Sequence, residues 1–210
     1  MATTSQGRQN QKERTRRAIV AAAANLVAAG SLPTIPEVAQ EALVSTATAY
    51  RYFPDQLSLL SAAVSDGYAG IGDRFRPDVG PSANVVERVD IATDGLLRRV
   101  LDREPLVRTV MALSLLRSVD GTTPLTEAAG VRPGFRHAWI DEALRPAESD
   151  LTPEELRTLK LALGVILGTE ALVALKDIMG IESDEAIEVC RWMARTLTAA
   201  ALAKGQGSAP

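Results

Sequence analysis

Residues 34 to 60, TIPEVAQEALVSTATAYRYFPDQLSLL, constrain this chain more than any other stretch. Thr34 is suited to cap a helix whose first turn holds Pro36, where a missing N–H costs nothing. Ile35, Val38, Ala39 and Ala42 recur at helical spacing and supply one apolar side. Leu43 and Val44 make a turn, and Ser45 is a good N-cap for a second helix from Thr46 to Tyr52. That helix starts with small side chains (Thr46, Ala47, Thr48, Ala49) and continues with Tyr50, Arg51, Tyr52 and Phe53. Three of the chain's eight aromatic residues fall within those last four positions, a concentration that a generic helix does not need. A short helix with small residues at its N-terminal end can press closely on another surface. The major groove of DNA admits such a helix, with its first residues at base edges and flanking hydroxyls on phosphates. The segment reads as a helix-turn-helix.

The residues on either side extend the pattern. Arg17-Ala18-Ile19, Ala22-Ala23, Leu26 and Gly30 precede Thr34, Val38-Ala39 and Ala42; Val44-Ser45, Thr48, Tyr50, Tyr52-Phe53 and Leu59-Leu60 follow. In order, spacing and residue type, the run from Arg14 to Leu60 resembles the DNA-binding domain of the TetR family of bacterial transcriptional repressors. Two positions depart from that family. Leu43 stands where glycine is usual, implying a turn that avoids positive φ or one held with some strain. Gln56 stands where lysine is usual, which removes a phosphate contact but leaves the fold alone.

The resemblance implies an all-α protein with an N-terminal helix-turn-helix DNA-binding domain and a C-terminal helical ligand-binding and dimerisation domain. Thr46, Ala47, Tyr50 and Arg51 would face base edges, Ala47 against a thymine methyl and Arg51 toward a guanine or a phosphate. Thr34, Ser45, Thr48 and Tyr52 would lie on phosphates and sugar, with Arg17 and the Gln56 position completing the DNA-contacting set. The implied partners are a pseudo-palindromic double-stranded DNA operator, a second copy of the chain and a small-molecule effector that releases a dimeric repressor. A two-fold dimer sets its recognition helices one DNA turn or more apart, roughly 34–36 Å for adjacent grooves.

Charge agrees with a DNA-binding head rather than with a general DNA coater. The net charge is −3. Residues 1 to 60 hold six Lys or Arg against four acids, and the remainder holds 17 against 22, so only the N-terminal part suits a polyanion. A single cysteine, Cys190, allows no internal disulfide and fits a reducing cytosol. The polar N-terminus does not read as a signal peptide, and no apolar run is long and uncharged enough for a membrane span, so the expectation is a cytoplasmic protein with no membrane partner.

One His and one Cys leave no plausible metal cluster or Cys–His pair, and neither a Gly-rich phosphate loop nor a serine elbow is present. No catalytic residue, metal or cofactor is expected. The alternative is a helical small-molecule-binding protein with a degenerate DNA-binding head. A helical adaptor without a DNA role would leave the Tyr50-Arg51-Tyr52 cluster unexplained.

In chain order, residues 1 to 10 are expected to be a disordered tail, 11–53 the helix-turn-helix domain and 54–76 a connecting helix opened by Pro54. The basic start of the first helix, Lys12, Arg14, Arg16 and Arg17, is either a phosphate-reaching edge or a solvated helix end. After a break at 76–82, residues 82–204 form the second domain. Its helices are expected over 82–103, from Pro105 with Leu106, Val110, Leu113 and Leu116 inward, over 135–144, over 153–179, and from Ser183 to Ala203.

The helix over 153–179 is apolar on nearly all sides and must be covered. The bland reading is intrachain packing. The preferred one is a four-helix dimer interface with the last helix, involving Gly164, Gly168, Glu170, Ala171, Leu175, Cys190, Met193 and Leu197. Glu170 within it requires an arginine partner across the interface or in a pocket, or a wet edge. By the same resemblance, a ligand cavity would be lined by Phe75, Met111, Leu115, Phe135, His137, Trp139 and Thr169. Each of these is also a plausible core residue.

Overall fold

Alanine, leucine and charged residues of high helix propensity dominate, and a computed structural model, which describes residues 3–67, 84–119 and 134–207, is helical, with no strand among them. The chain divides into two compact units: Met1–Ala69 with Arg103–Pro133, and Gly70–Asp102 with Gly134–Pro210.

The first unit is built on α1 (Thr3–Ala28), which buries Ile19, Val20, Ala22, Ala23 and Val27. Residues 3–10, expected to be a disordered tail, are helical instead. Nothing between Thr3 and Gln11 breaks a helix except one glycine, so the turns of α1 continue outward. The helix stops at Gly30, whose φ of 88° lets the Ser31 N–H reach the Leu26 carbonyl (3.1 Å) and the Gly30 N–H reach Val27 (2.9 Å). This crossed pair satisfies carbonyls that the helix end leaves open.

Short helix α2 (Ile35–Glu41) begins in a capping box. The Glu37 carboxylate accepts from the Thr34 N–H (2.7 Å) and the Thr34 hydroxyl (2.8 Å), and that hydroxyl accepts from the Glu37 N–H. Its end repeats the crossed pair, Val44 N–H to Ala39 (2.9 Å) and Leu43 N–H to Gln40 (3.1 Å), with Leu43 at φ 55°. Helix α3 (Thr46–Tyr52) follows at once, its first turn closed by Ser45, whose hydroxyl accepts from the Thr48 N–H at 3.1 Å.

Helix α4 (Gln56–Gly67) starts from Asp55, whose carboxylate accepts the Ser58 N–H at 2.7 Å, and packs on α1 through Leu57, Leu59, Leu60, Ala63 and Val64. The later part of the expected connecting helix lies outside the described residues. The helix expected from Pro105, α6 (Glu104–Val119), packs on α1 and α4 and groups with this unit, although the sequence reading places it in the second domain. Leu106 and Val110 are buried as expected, but Leu116 is exposed, because Ser114 takes the inward position of that turn.

The second unit contains α5 (Val85–Leu101), α7 (Phe135–Leu144) with a 3-10 turn at Arg145–Ala147, α8 (Pro153–Ile166), α9 (Thr169–Val173) and α10 (Ser183–Gly207). Helix α10 packs most extensively on α5, while α7 packs on α5 and α8. Val89, Ala92, Leu96 and Leu97 of α5 meet in a core that also buries Trp139, Leu144, Leu163, Ile187, Cys190 and Ala194. Thr152, Pro153 and Glu155 open α8 as a second capping box.

The single helix expected over 153–179 is broken. It ends at Ile166, Gly168 is extended at φ −141°, and the chain turns by 48° into α9, which continues as a π turn over Ala174–Ile178. No single helix among the described residues is long and apolar enough to cross a membrane.

The strain at Leu43 yields a prediction. A left-handed β-carbon costs about 1–2 kcal/mol, and the more flexible unfolded chain of a glycine variant offsets part of that. At 93% exposure the leucine gains no packing in return. Leu43→Gly is expected to stabilise the first unit by about 0.5–1 kcal/mol, read as a raised urea midpoint. An unchanged or lowered midpoint would show that position 43 carries no strain.

Candidate nucleic-acid interface

Helix α3 is two-faced. Ala49 is fully buried and Phe53, at the C-cap, nearly so; together they fasten the helix to its own unit. Thr46, Ala47, Tyr50 and Arg51 are exposed, Tyr50 to 48%, and at helical spacing they form one outward strip. These are the four residues expected at base edges. The Arg51 guanidinium lies 5.7 Å from the Tyr52 ring, a cation–π contact that holds the arginine beside the strip without neutralising it.

The residues expected on phosphates lie on α1 and at or within α2 and α3. Hydroxyls of Ser45 and Thr48 are 2.8 Å apart, and Ser45 and Thr34 are the N-caps of α3 and α2. Each hydroxyl that caps a helix keeps further hydrogen-bonding capacity for a ligand oxygen. Tyr52 is half-buried. Arg17 is exposed on α1 and paired with Glu13 one turn earlier at 2.8 Å, a contact that costs little to exchange for a phosphate.

Gln56 has an internal partner: its amide nitrogen donates to the Pro33 carbonyl at 2.7 Å, tying the start of α4 to the chain just ahead of α2. Arg16, expected with Lys12, Arg14 and Arg17 as a phosphate-reaching edge or a solvated helix end, sits 5.7 Å from the Phe53 ring and so brings α1 to the end of α3. Only its distance of 37 residues from Phe53 hid that contact from local pattern reading.

Solved structures with the same arrangement exist. A TetR transcriptional regulator from Rhodococcus sp. RHA1 superposes with a TM-score of 0.60 at 21% identity, over 88% of this chain and 96% of that one. A tetR-family transcriptional regulator from Streptomyces coelicolor gives 0.63 at 20% identity, over 94% and 90%. The fold is that of TetR regulators. No protein-family model matches the sequence, and no curated protein matches it.

Within this TetR-type fold, the residues expected to line a ligand cavity fall on several helices. Met111 and Leu115 belong to α6 in the first unit, Leu115 exposed. Phe135, His137 and Trp139 are on α7 and Thr169 opens α9, in the second unit. His137 is exposed beside Gly134, and Phe75 lies outside the described residues.

Trp139 borders an open cleft, of about 430 Å³, with Asp90, Ile91, Asp94, Gly95, Arg98 and Arg191. Its ring lies 3.1 Å from where a β-carbon on Gly95 would stand, so a larger residue there would press on the indole, and the Arg99 guanidinium covers the ring at 5.1 Å.

The residues expected at a dimer interface differ in their exposure within the chain. Glu170 pairs with Arg136 of α7 at 3.0 Å, which settles its partner within the chain. The same guanidinium donates to the Gly164 carbonyl at 2.8 Å, so Arg136 bridges the two sides of the α8–α9 break. A β-carbon on Gly168 would collide with Arg136 and Glu170, whereas Gly164 faces open space. Cys190 is wholly inside the unit, where burial pushes its thiol up to about 11. Ala171, Leu175 and Met193 are half-buried and Leu197 is exposed.

The cleft's ion pairs fasten α10 to α5. Arg191 forks onto both Asp90 oxygens (2.9 and 2.6 Å), and Arg195 adds a third bond at 2.7 Å. Burial alone would raise the Asp90 carboxyl, but hydrogen bonds from Arg191 and Arg195 outweigh it and hold the group below its ordinary 3.8. A depressed carboxyl stabilises the fold at pH above its unfolded value and loses that contribution as pH falls through its folded value.

Asp90→Asn is therefore expected to cost about 2–3 kcal/mol at neutral pH. Urea melts of the two proteins should converge as the pH drops below 3.8. A penalty that stayed constant down to low pH would mean the charge of Asp90 does not contribute.

Proposed function

We propose that this chain is a sequence-specific DNA-binding regulator, acting as a dimeric repressor released from its operator by a small-molecule effector. The single observation that supports it most is the outward strip of Thr46, Ala47, Tyr50 and Arg51 on a helix anchored from behind by Ala49 and Phe53. Small residues lead and a tyrosine and an arginine follow, which lets the N-terminal end enter a major groove while the longer side chains reach base edges or backbone. Thr34, Ser45, Thr48, Tyr52 and Arg17 then supply contacts that position the head on phosphates. Gln56 enters this set through its remaining amide atoms, since one N–H is engaged with Pro33.

Dimerisation is supported by apolar side chains that a single chain leaves uncovered. Leu161 and Val165, one turn apart on α8, are 56% and 66% exposed, and Trp192 and Leu197 of α10 are exposed as well. An apolar groove of about 370 Å³ runs between these helices past Ala162, Leu197, Ala200 and Ala201. Two copies joined through these faces form a four-helix interface and fix the separation of the two heads. An effector then acts by favouring a dimer whose heads are wrongly spaced for adjacent grooves. The cleft at Trp139 falls within the size range of small-molecule sites, and its wall of Asp90, Asp94, Arg98 and Arg191 favours a polar, charged effector.

Two measurements test this reading. On a duplex recovered by selecting genomic fragments with the purified protein, Tyr50→Ala is expected to weaken binding about 10- to 100-fold, with the melting temperature unchanged. Equal affinity in a fluorescence anisotropy titration would remove Tyr50 from the interface. The double variant Leu161→Glu with Val165→Glu is expected to sediment as a monomer at micromolar concentration, where the parent sediments as a dimer, because four buried charges would meet across the two-fold axis. A variant that remains dimeric would place the interface elsewhere.

A further inference from the structure

Helix α1 extends well beyond the part that packs. Residues 6–14 are exposed on every side, so this stretch has no core contact to justify its order. Arg8, Lys12 and Arg16 are spaced by four and lie within one face of α1. The direction of that face is fixed at one end, because the Arg16 guanidinium lies 5.7 Å from the ring of Phe53, the residue that ends α3. Lys12 and Arg8 follow about 6 and 12 Å further out along the helix axis. Glu13, the only acid nearby in sequence, is turned away and bonded to Arg17 at 2.8 Å. No ion pair to Arg8, Lys12 or Arg16 is present among the described residues. Cations at i and i+4 repel and weaken a helix unless an outside anion lies along them.

We infer that Arg8 and Lys12 form a phosphate-binding ridge, continuous through Arg16 with the end of the recognition helix, that holds the backbone of duplex DNA flanking the bases read by α3. This rests on the proposed helix-turn-helix function and adds a second contact to the same partner. The ridge is read from charge and placement; it carries no base-reading geometry, so it contributes affinity and salt dependence but not sequence choice.

The test uses the full chain and the variant Arg8→Gln with Lys12→Gln. Glutamine keeps helix propensity, and both sites are exposed, so folding is retained. Binding to the selected duplex, with about one turn (~10 bp) of flank on each side, is titrated from low to physiological salt. The plot of log affinity against log salt should become shallower by about 0.9 for each phosphate that the head no longer neutralises, about 1.8 per head for the pair. Cognate and scrambled duplexes should weaken by the same factor, and trimming the flanks to the footprint should erase the difference between parent and variant. Equal slopes for parent and variant overturn the ridge while leaving the helix-turn-helix reading intact. A weakening confined to the cognate sequence also overturns it, since that would make the residues base readers. A parent chain that binds no duplex at any salt defeats both readings at once.

Discussion

The direction in which α3 points depends on a turn of three residues. Helix α2 must stop after Glu41, reverse through a left-handed residue, and present Ser45 as the cap of the next helix within four positions. Two crossed backbone bonds at Leu43 and Val44 and the Ser45–Thr48 bond leave the segment almost no freedom. A glycine would take the left-handed conformation without strain; Leu43 takes it with its side chain in solvent. That a strained residue is held there shows how strongly the surrounding caps dictate the geometry. Anchored by Ala49 and Phe53, α3 then displays one face and only one.

The second unit relies on a different device. Helices α5 and α10 are joined by buried Val89, Ala92, Leu96, Ile187, Cys190 and Ala194, and along one edge by charge: Asp90 with Arg191 and Arg195, and Arg98 with Asp184. The apolar contact gives the energy and the ion pairs give the register, because a forked arginine on a carboxylate tolerates little sliding. Arg136 does something similar at the α8–α9 break, where it supplies both a donor for an open carbonyl and a counter-charge for Glu170. The break directs α8 one way and α9 another; Leu159, Leu163 and Leu172 are buried on the two sides of it, while Leu161 and Val165 before it and Ile178 and Met179 after it are exposed.

What was legible in the sequence follows from the range of the interactions involved. The caps at Thr34, Ser45 and Thr152 and the stop at Gly30 involve partners three to five residues away, and their positions could be read directly. The TetR-type architecture was legible for the same reason, because its helix-turn-helix is a dense run of such local signals. The break at Gly168 was not, since it is held by an arginine 28 residues before Gly164 on another helix. Leu113, Leu115 and Leu116 crowd more than one side of α6, so apolar periodicity alone could not choose which would be buried. The residues expected at a cavity, from Met111 and Trp139 to Thr169, lie on several helices. Whether such side chains converge depends on tertiary packing, which composition does not encode.

Charge placement fits the proposed site-specific binder better than a general one. Six basic against four acidic residues in the first 60 give the head a modest positive excess, while the remaining 150 residues are acidic on balance. On the proposed reading, a polyanion would be attracted to the N-terminal part and repelled by the rest, so orientations that bring that part to the groove would gain energy. A small excess also limits the sequence-independent attraction, which scales with the number of phosphates neutralised. On the proposed DNA-binding reading, discrimination would come from the short strip of α3, where exposed Tyr50 and Arg51 stand on a helix anchored from behind by Ala49 and Phe53.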